Sequence, residues 1–230
     1  MLGDKLDDVL VASFLAGALQ ANCYLVGADG RDDAVVIDPG EGAADGVATL
    51  AAEHGRRVVG VLLTHGHVDH VAAAADVADA SGVPCWLHEA DRELLDDPAA
   101  GDPMMQQLVD AMGVDVRPPR RLELLGGGET IDVAGLSFHV VHAPGHRPGC
   151  VLFRLGGGEG ELIFSGDVVF AGSIGRTDLP GGDPAAMLAT LKDVVLPLPD
   201  AAAVLPGHGP ATTVAHERAT NPSLQPSFLR

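Results

Sequence analysis

The run Val58–Leu63 and the residues just after it constrain this chain more than any other stretch. A short apolar run bounded by polar residues reads as a buried strand, and here it delivers Thr64-His65-Gly66-His67-Val68-Asp69-His70 into the start of a helix expected over 71–80. In extended backbone, residues i and i+2 point the same way. His65 and His67 can therefore grip one ion, while Asp69 and His70, turning into the helix, can face a second. Imidazole nitrogens and carboxylate oxygens suit zinc, iron or manganese. The plainer reading is a polar loop capping a helix with Asp69 at the N-cap, and the H-x-H-x-D-H spacing outweighs it.

Three further strand ends carry matching groups. His146 follows the strand expected over 136–141, in Ala143-Pro144-Gly145-His146. Asp167 follows Ile163-Phe164 in Ser165-Gly166-Asp167, and His208 follows Val204-Leu205 in Pro206-Gly207-His208-Gly209. Each alone is weak, because a lone histidine in a Gly-Pro loop is usually a surface residue. Together they place seven candidate ligands (His65, His67, Asp69, His70, His146, Asp167 and His208) at the ends of four strands, each in a glycine-containing turn.

The remaining pattern supplies a scaffold. Strands are expected over 9–15, 22–26, 34–37, 58–63 and 84–87, then over 131–133, 136–141, 150–155, 161–164 and 202–205. Helices are expected over 41–54, 71–80, 184–194 and 212–219. Residues 90–120 differ, with two short helices at 91–95 and 104–112 that read as an excursion over the main body. Two batches of strands interleaved with helices predict an α/β protein of two packed sheets with helices outside, one domain over 1–230.

Charge excludes several functions. With 14 Lys and Arg against 32 Asp and Glu, the formal net charge is −18, so no basic surface is available for nucleic acid or an anionic membrane. The apolar run 9–19 lacks the positive leader of a signal peptide, since Asp4, Asp7 and Asp8 surround Lys5. Cys23, Cys85 and Cys150 form no C-x-x-C pair and read as buried free thiols of a reducing cytoplasm.

The segments Thr64–His70, Ala143–Gly149, Phe164–Asp167 and Leu205–Pro210, in this order and spacing, resemble the metallo-β-lactamase fold superfamily over about 22–221. Gly175-Arg176-Thr177-Asp178-Leu179-Pro180-Gly181-Gly182-Asp183 and the Gly207-His208-Gly209-Pro210 turn are similar to short bacterial glyoxalase II-like (hydroxyacylglutathione hydrolase-like) enzymes. The resemblance implies an αββα sandwich with the site at one edge. It implies that His65, His67 and His146 hold one metal, that Asp69, His70 and His208 hold another, and that Asp167 bridges them. It also implies hydrolysis of a 2-hydroxyacyl thioester of a small thiol, with Asp69 and Asp167 closest to the chemistry and zinc as the metal pair, iron or manganese being alternatives. The helical domain that follows the catalytic domain in classical glyoxalase II is not expected here. An aspartate at 167, where the best-known zinc β-lactamases carry a cysteine, argues against lactamase activity.

Supporting roles are assigned more loosely. Asp38, Thr64 and Ser165 are expected to orient ligands through hydrogen bonds. Arg176 could meet a substrate carboxylate or pair with Asp178, and Asn22 and Tyr24 could line the pocket or pack within their strand. His139 and His142 read as structural, Cys150 as core, and His54, His88 and His216 as surface. A persulfide dioxygenase with one iron, or a lactonase, remains an alternative activity.

Overall fold

The computed structural model describes residues 9–157 and 160–229; the charged leader around Lys5 lies outside them. Two six-stranded sheets form the frame. The first holds β1 (Val9–Ala16), β2 (Ala21–Ala28), β3 (Asp33–Ile37), β4 (Arg57–Leu62), β5 (Cys85–His88) and β6 (Leu122–Leu125) in sequence order. β1 to β3 pair antiparallel and β3 to β6 parallel. Helices α1 (Ala43–Glu53), α2 (Val68–Val71) and α3 (Ala74–Ser81) occupy the crossovers, and α4 (Pro103–Met112) lies in the excursion.

The second sheet contains β7 (Thr130–Val133), β8 (Leu136–His142), β9 (Val151–Leu155) and β10 (Leu162–Gly166). A two-stranded hairpin, β11 (Val169–Phe170) with β12 (Ser173–Ile174), and α5 (Pro184–Thr190) then precede β13 (Ala203–Pro206) and β14 (Thr212–Thr213), and α6 (Val214–Thr220) follows. The spatial order is β14-β13-β10-β9-β8-β7.

Period-two alternation decides which side chain meets which layer. Tyr24, Val26, Val35, Ile37 and Leu62 face inward against Phe138, Val140, Phe153 and Phe164 of the opposite sheet. Their neighbours Cys23, Leu25, Val36 and Val61 face outward against Val47 of α1 and Val77 of α3. Leu152, Ile163 and Val204 do the same against Met187 and Val214, on α5 and α6. Both faces are covered, so these strands read as continuous apolar runs. The result is the helix-covered double sheet expected from the sequence.

This frame gathers four strand ends at one edge. β10 runs parallel to β13 and antiparallel to β9, which is antiparallel to β8. The C-termini of β8, β10 and β13 therefore share one end. The Val151 amide donates to the Thr64 carbonyl at 2.9 Å and the Asn22 amide to the Gly207 carbonyl at 2.7 Å, which brings the end of β4 alongside them.

The structure corrects several local expectations. The helix expected over 71–80 is two pieces broken at Ala72–Ala73, and its first turn already contains Asp69 and His70. Residues 122–125 form an edge strand too short for a clear period, and β11 and β12 have two residues each. His88 is buried, not superficial, because the end of β5 is covered. Its ring stacks on His142 at 4.3 Å between centroids.

Candidate metal centre

Seven side chains converge at that edge, and hydrogen bonds fix which atom three of the histidines present. Asp38, at positive φ just beyond β3, accepts from the Thr64 amide at 2.8 Å through Oδ1 and from the Thr64 hydroxyl at 2.6 Å through Oδ2. The hydroxyl proton is thus committed, so Thr64 Oγ1 accepts from His65 Nδ1 at 3.1 Å. His70 Nδ1 donates to Asp38 Oδ2 at 3.0 Å, and His146 Nδ1 donates to the Arg176 carbonyl at 2.7 Å. A neutral imidazole carries one proton. In the neutral form that a metal ion requires, His65, His70 and His146 therefore all turn a bare Nε2 inward.

Those nitrogens lie against further imidazole nitrogens and carboxylate oxygens. His65 Nε2 and His146 Nε2 lie 3.2 and 2.8 Å from His67 Nδ1. His70 Nε2 is 3.3 Å from His208 Nε2, which is 3.2 Å from Asp69 Oδ2. Asp167 sits between the groups, with Oδ1 3.4 Å from His70 and Oδ2 3.5 Å from His146 and 3.7 Å from His208. Asp167 Oδ1 is buried with no hydrogen-bond partner. So many donor atoms crowded together are unfavourable unless protons or a metal cation lie among them, and the raised pKa values of His70 and His208 mark where protons stand in for the cation. Three trios, His65/His67/His146, His65/His70/Asp167 and Asp69/His70/His208, each have ligand atoms within 4.8 Å of one another. The residues present fit two divalent ions.

The two ends of the centre differ in charge. Burial, reinforced by neighbouring imidazoles, holds His65 and His67 well below the usual histidine value, and burial lowers His146. Burial also works against protonation of His70, but Asp69, Asp167 and Asp38 outweigh it and raise its pKa to about 10. The hydrogen bond to Asp69 raises His208.

The bracing around each end is specific. Asp91, fully buried in the excursion, accepts from the Gly66 amide at 2.8 Å and from the Gly149 amide at 2.9 Å. One carboxylate so ties the His65–His67 loop to the His146 loop. Arg147, buried beside it, approaches Asp91 at 3.5 Å and donates to the Pro180 carbonyl. At the other end, Asn22 Nδ2 donates to Pro206 and Gly209 carbonyls, both at 2.9 Å, and Tyr24 OH donates to Pro206 at 2.7 Å. A Cβ on Gly207 would strike Asp167 Oδ1, so only glycine lets that turn come so close. Ser165 Oγ donates to the Val169 carbonyl at 2.9 Å and closes the turn that carries Asp167.

A cavity of about 640 Å³ opens on the centre. His67, Asp69, His146, Asp167 and His208 form its floor, and α4 contributes a wall through Met104, Met105 and Leu108. The Asp102 side chain caps α4 by accepting from the Met104 and Met105 amides. One expectation is corrected here. Asn22 and Tyr24 do not line this cavity, because their polar atoms are spent bracing the His208 turn. Arg176 is on the rim, but Asp178 engages its guanidinium in a fork at 2.7 and 2.8 Å. Asp91 and Arg147 were missed from sequence altogether.

Comparison with known proteins agrees with this geometry. The family model described as the metallo-beta-lactamase superfamily matches residues 16–208. An uncharacterized protein of Mycobacterium tuberculosis is 40% identical over 94% of this chain and 98% of its own. The hydroxyacylglutathione hydrolase GloC of Haemophilus influenzae is 36% identical over 90% of this chain and 94% of its own. Among solved structures, the BLEG-1 B3 metallo-beta-lactamase superposes with a TM-score of 0.80 at 34% identity, covering 94% of this chain and 99% of that one. TTHA1623 in a di-iron-bound form gives 0.78 at 38% identity, covering 92% and 99%.

Proposed function

The chain belongs to the metallo-beta-lactamase superfamily, and from that premise we propose that it is a dinuclear metal-dependent thioester hydrolase. The observation that carries the reading is the convergence of seven His and Asp side chains in which Asp167 approaches His146 at one end and His70 and His208 at the other. Two divalent ions there would lower the pKa of a bound water to about 7 and polarise a substrate carbonyl.

The chain's own groups do the rest. Asp38, Thr64 and the Arg176 carbonyl hold three imidazoles in the tautomer that presents Nε2. Asp69 and Asp167 place two negative charges on the cavity floor. Water adds to the thioester carbonyl, the C–S bond breaks, and the products are a carboxylic acid and a thiol. The departing thiolate has a parent pKa of about 8.5 and leaves without a strong general acid. Among the described lining residues no side chain is free to protonate an amine: Arg176 is paired and the other polar groups belong to the ligand set. That favours a thioester over an amide or β-lactam.

Zinc is the metal pair of this reading, although the donor set accepts iron equally well and one related structure holds two irons. The described helices include none long and apolar enough to cross a membrane. The three cysteines are buried and free, as suits a cytoplasmic enzyme, and the net charge of −18 argues against a nucleic-acid substrate.

Metal analysis of the purified protein together with a panel of thioesters, lactones, β-lactams and glutathione persulfide tests the reading. About two ions per chain and thioester cleavage are expected. A single iron with oxygen consumption on persulfide, or cleavage of β-lactams alone, would overturn it.

A further inference from the structure

The cavity walls contrast with the floor. Beyond the ligand set, the lining is made by Leu19, Met104, Met105, Leu108, Phe170 and Leu179, with smaller apolar contributions. Among the described lining residues no Ser, Thr, Asn, Gln, Tyr or Lys side chain is present. The one cation outside the ligand set, Arg176, is held in the fork with Asp178. Leu19 and Met104 are exposed at the mouth, so the apolar surface reaches the solvent.

Resting on the thioesterase reading, we infer that the substrates are thioesters whose acyl chain is uncharged and apolar, carried by a small uncharged thiol. Recognition of a peptide thiol such as glutathione requires partners for two carboxylates, an ammonium group and two amides, and a polar group buried without a partner is penalised. Apart from Arg176, which is paired with Asp178, the side chains of these walls offer none of those partners. The net charge of −18 also opposes the approach of a dianionic carrier. A hydrocarbon chain, in contrast, finds aliphatic side chains, an aromatic ring and two methionines, whose unbranched thioethers adapt to different shapes. The volume lies within the range of roughly 300–1,000 Å³ usual for sites that enclose a small ligand.

The test uses the metal-loaded full chain with the acetyl, butanoyl and hexanoyl thioesters of N-acetylcysteamine, and with S-lactoylglutathione. Burial of each methylene should raise kcat/KM about fourfold. The hexanoyl ester, four methylenes longer, is then expected to exceed acetyl by on the order of 200-fold, and S-lactoylglutathione should fall at least about tenfold below hexanoyl. Leu108→Asn, in the wall, should lower the hexanoyl-to-acetyl ratio about tenfold, which a general loss of folded protein cannot do. A flat acyl series with S-lactoylglutathione preferred would overturn this inference and leave the thioesterase reading standing. Metal-loaded protein that cleaves no thioester would overturn both.

Discussion

The two ends of the metal centre are built on different physical terms. The trio His65, His67 and His146 is buried, uncharged in its basal state and locked by a buried carboxylate, Asp91, that ties its two loops. The trio Asp69, His70 and His208 contains a carboxylate, holds protons on histidines whose pKa values are raised, and ends in a side chain 29% exposed to solvent. Its turn is braced by neutral donors, Asn22 and Tyr24. The first end is ready to ligate as folded. The second must release protons as it loads. The two ends should therefore fill in order and respond differently to the same perturbation.

Asp167 belongs to both ends, and its loss should erase the distinction. Asp167→Asn removes one unit of charge from the position between the trios, so kcat for thioesters should fall by about a thousandfold or more. Retention of more than a tenth of the wild-type kcat with two metals bound would show that the ends act independently.

His208→Ala should then separate them. Its turn and its exposure place it at the periphery of the second trio, so the variant should retain about one ion per chain and lose on the order of a hundredfold in kcat. Metal titration monitored by calorimetry reads this directly. Loss of both ions would mean that the first trio is not preformed.

Asp91→Asn probes the first end from behind. The amide presents at most one acceptor oxygen to two backbone N–H groups and leaves buried Arg147 only the exposed Glu93, 3.9 Å away, as counter-charge. Breaking such a buried pair costs about 3 kcal/mol, which lowers Tm by roughly 6–12 °C in a chain of this size. Metal affinity at the first site should fall about ten- to a hundredfold. The sharper reading is a loss at the first site that exceeds the loss at the second.

Chelated protein gives a pH test of the same asymmetry. His70 titrates at about 10 when folded against about 6.5 when unfolded. Its contribution to stability is complete below 6.5 and is lost as pH rises through 10. His65 and His67 are shifted down, so their cost appears as pH falls below 6.5. Metal-free stability should therefore peak near neutrality, with Tm falling by about 3 °C or more between pH 7 and 10. Cys23 and Tyr24, whose pKa values burial raises, add to the alkaline loss. His70→Gln in the metal-free chain should reduce that loss, and should also shift the acid limb, because His70 helps to lower the pKa values of His65 and His67.

How much of this was legible in the sequence follows from the same contrast. The ligands could be read because they follow apolar strands at fixed offsets, and a two-residue repeat in extended backbone is a local property. The bracing could not. Asp91 stands among Glu89, Glu93, Asp96 and Asp97, and nothing in their spacing shows that one carboxylate is fully buried between two loops about 25 and 58 residues away in sequence. Asn22 and Tyr24 sit on a strand whose alternation gives their faces but not the turn that their polar atoms reach. β6 escaped because a short parallel edge strand is defined by its neighbour β5 and has little pattern of its own.

Arg176 should give the smallest effect, and its size bears on both ends and on the substrate. Sequence allowed it to be the one cation awaiting a substrate carboxylate, and the structure places its side chain, exposed, in a fork with Asp178. What the residue gives the first trio is its backbone carbonyl, which holds His146 in the required tautomer and survives any side-chain substitution. An exposed ion pair contributes about 0–1 kcal/mol to stability. Arg176→Ala should therefore leave metal content unchanged and alter KM for uncharged acyl thioesters by less than about twofold. Measured beside it, a carboxylated conjugate should show a similarly small change, since the guanidinium is already occupied. A tenfold rise in KM confined to the carboxylated conjugate would mean that the fork opens to receive substrate, and it would restore a charged carrier as the ligand of this cavity.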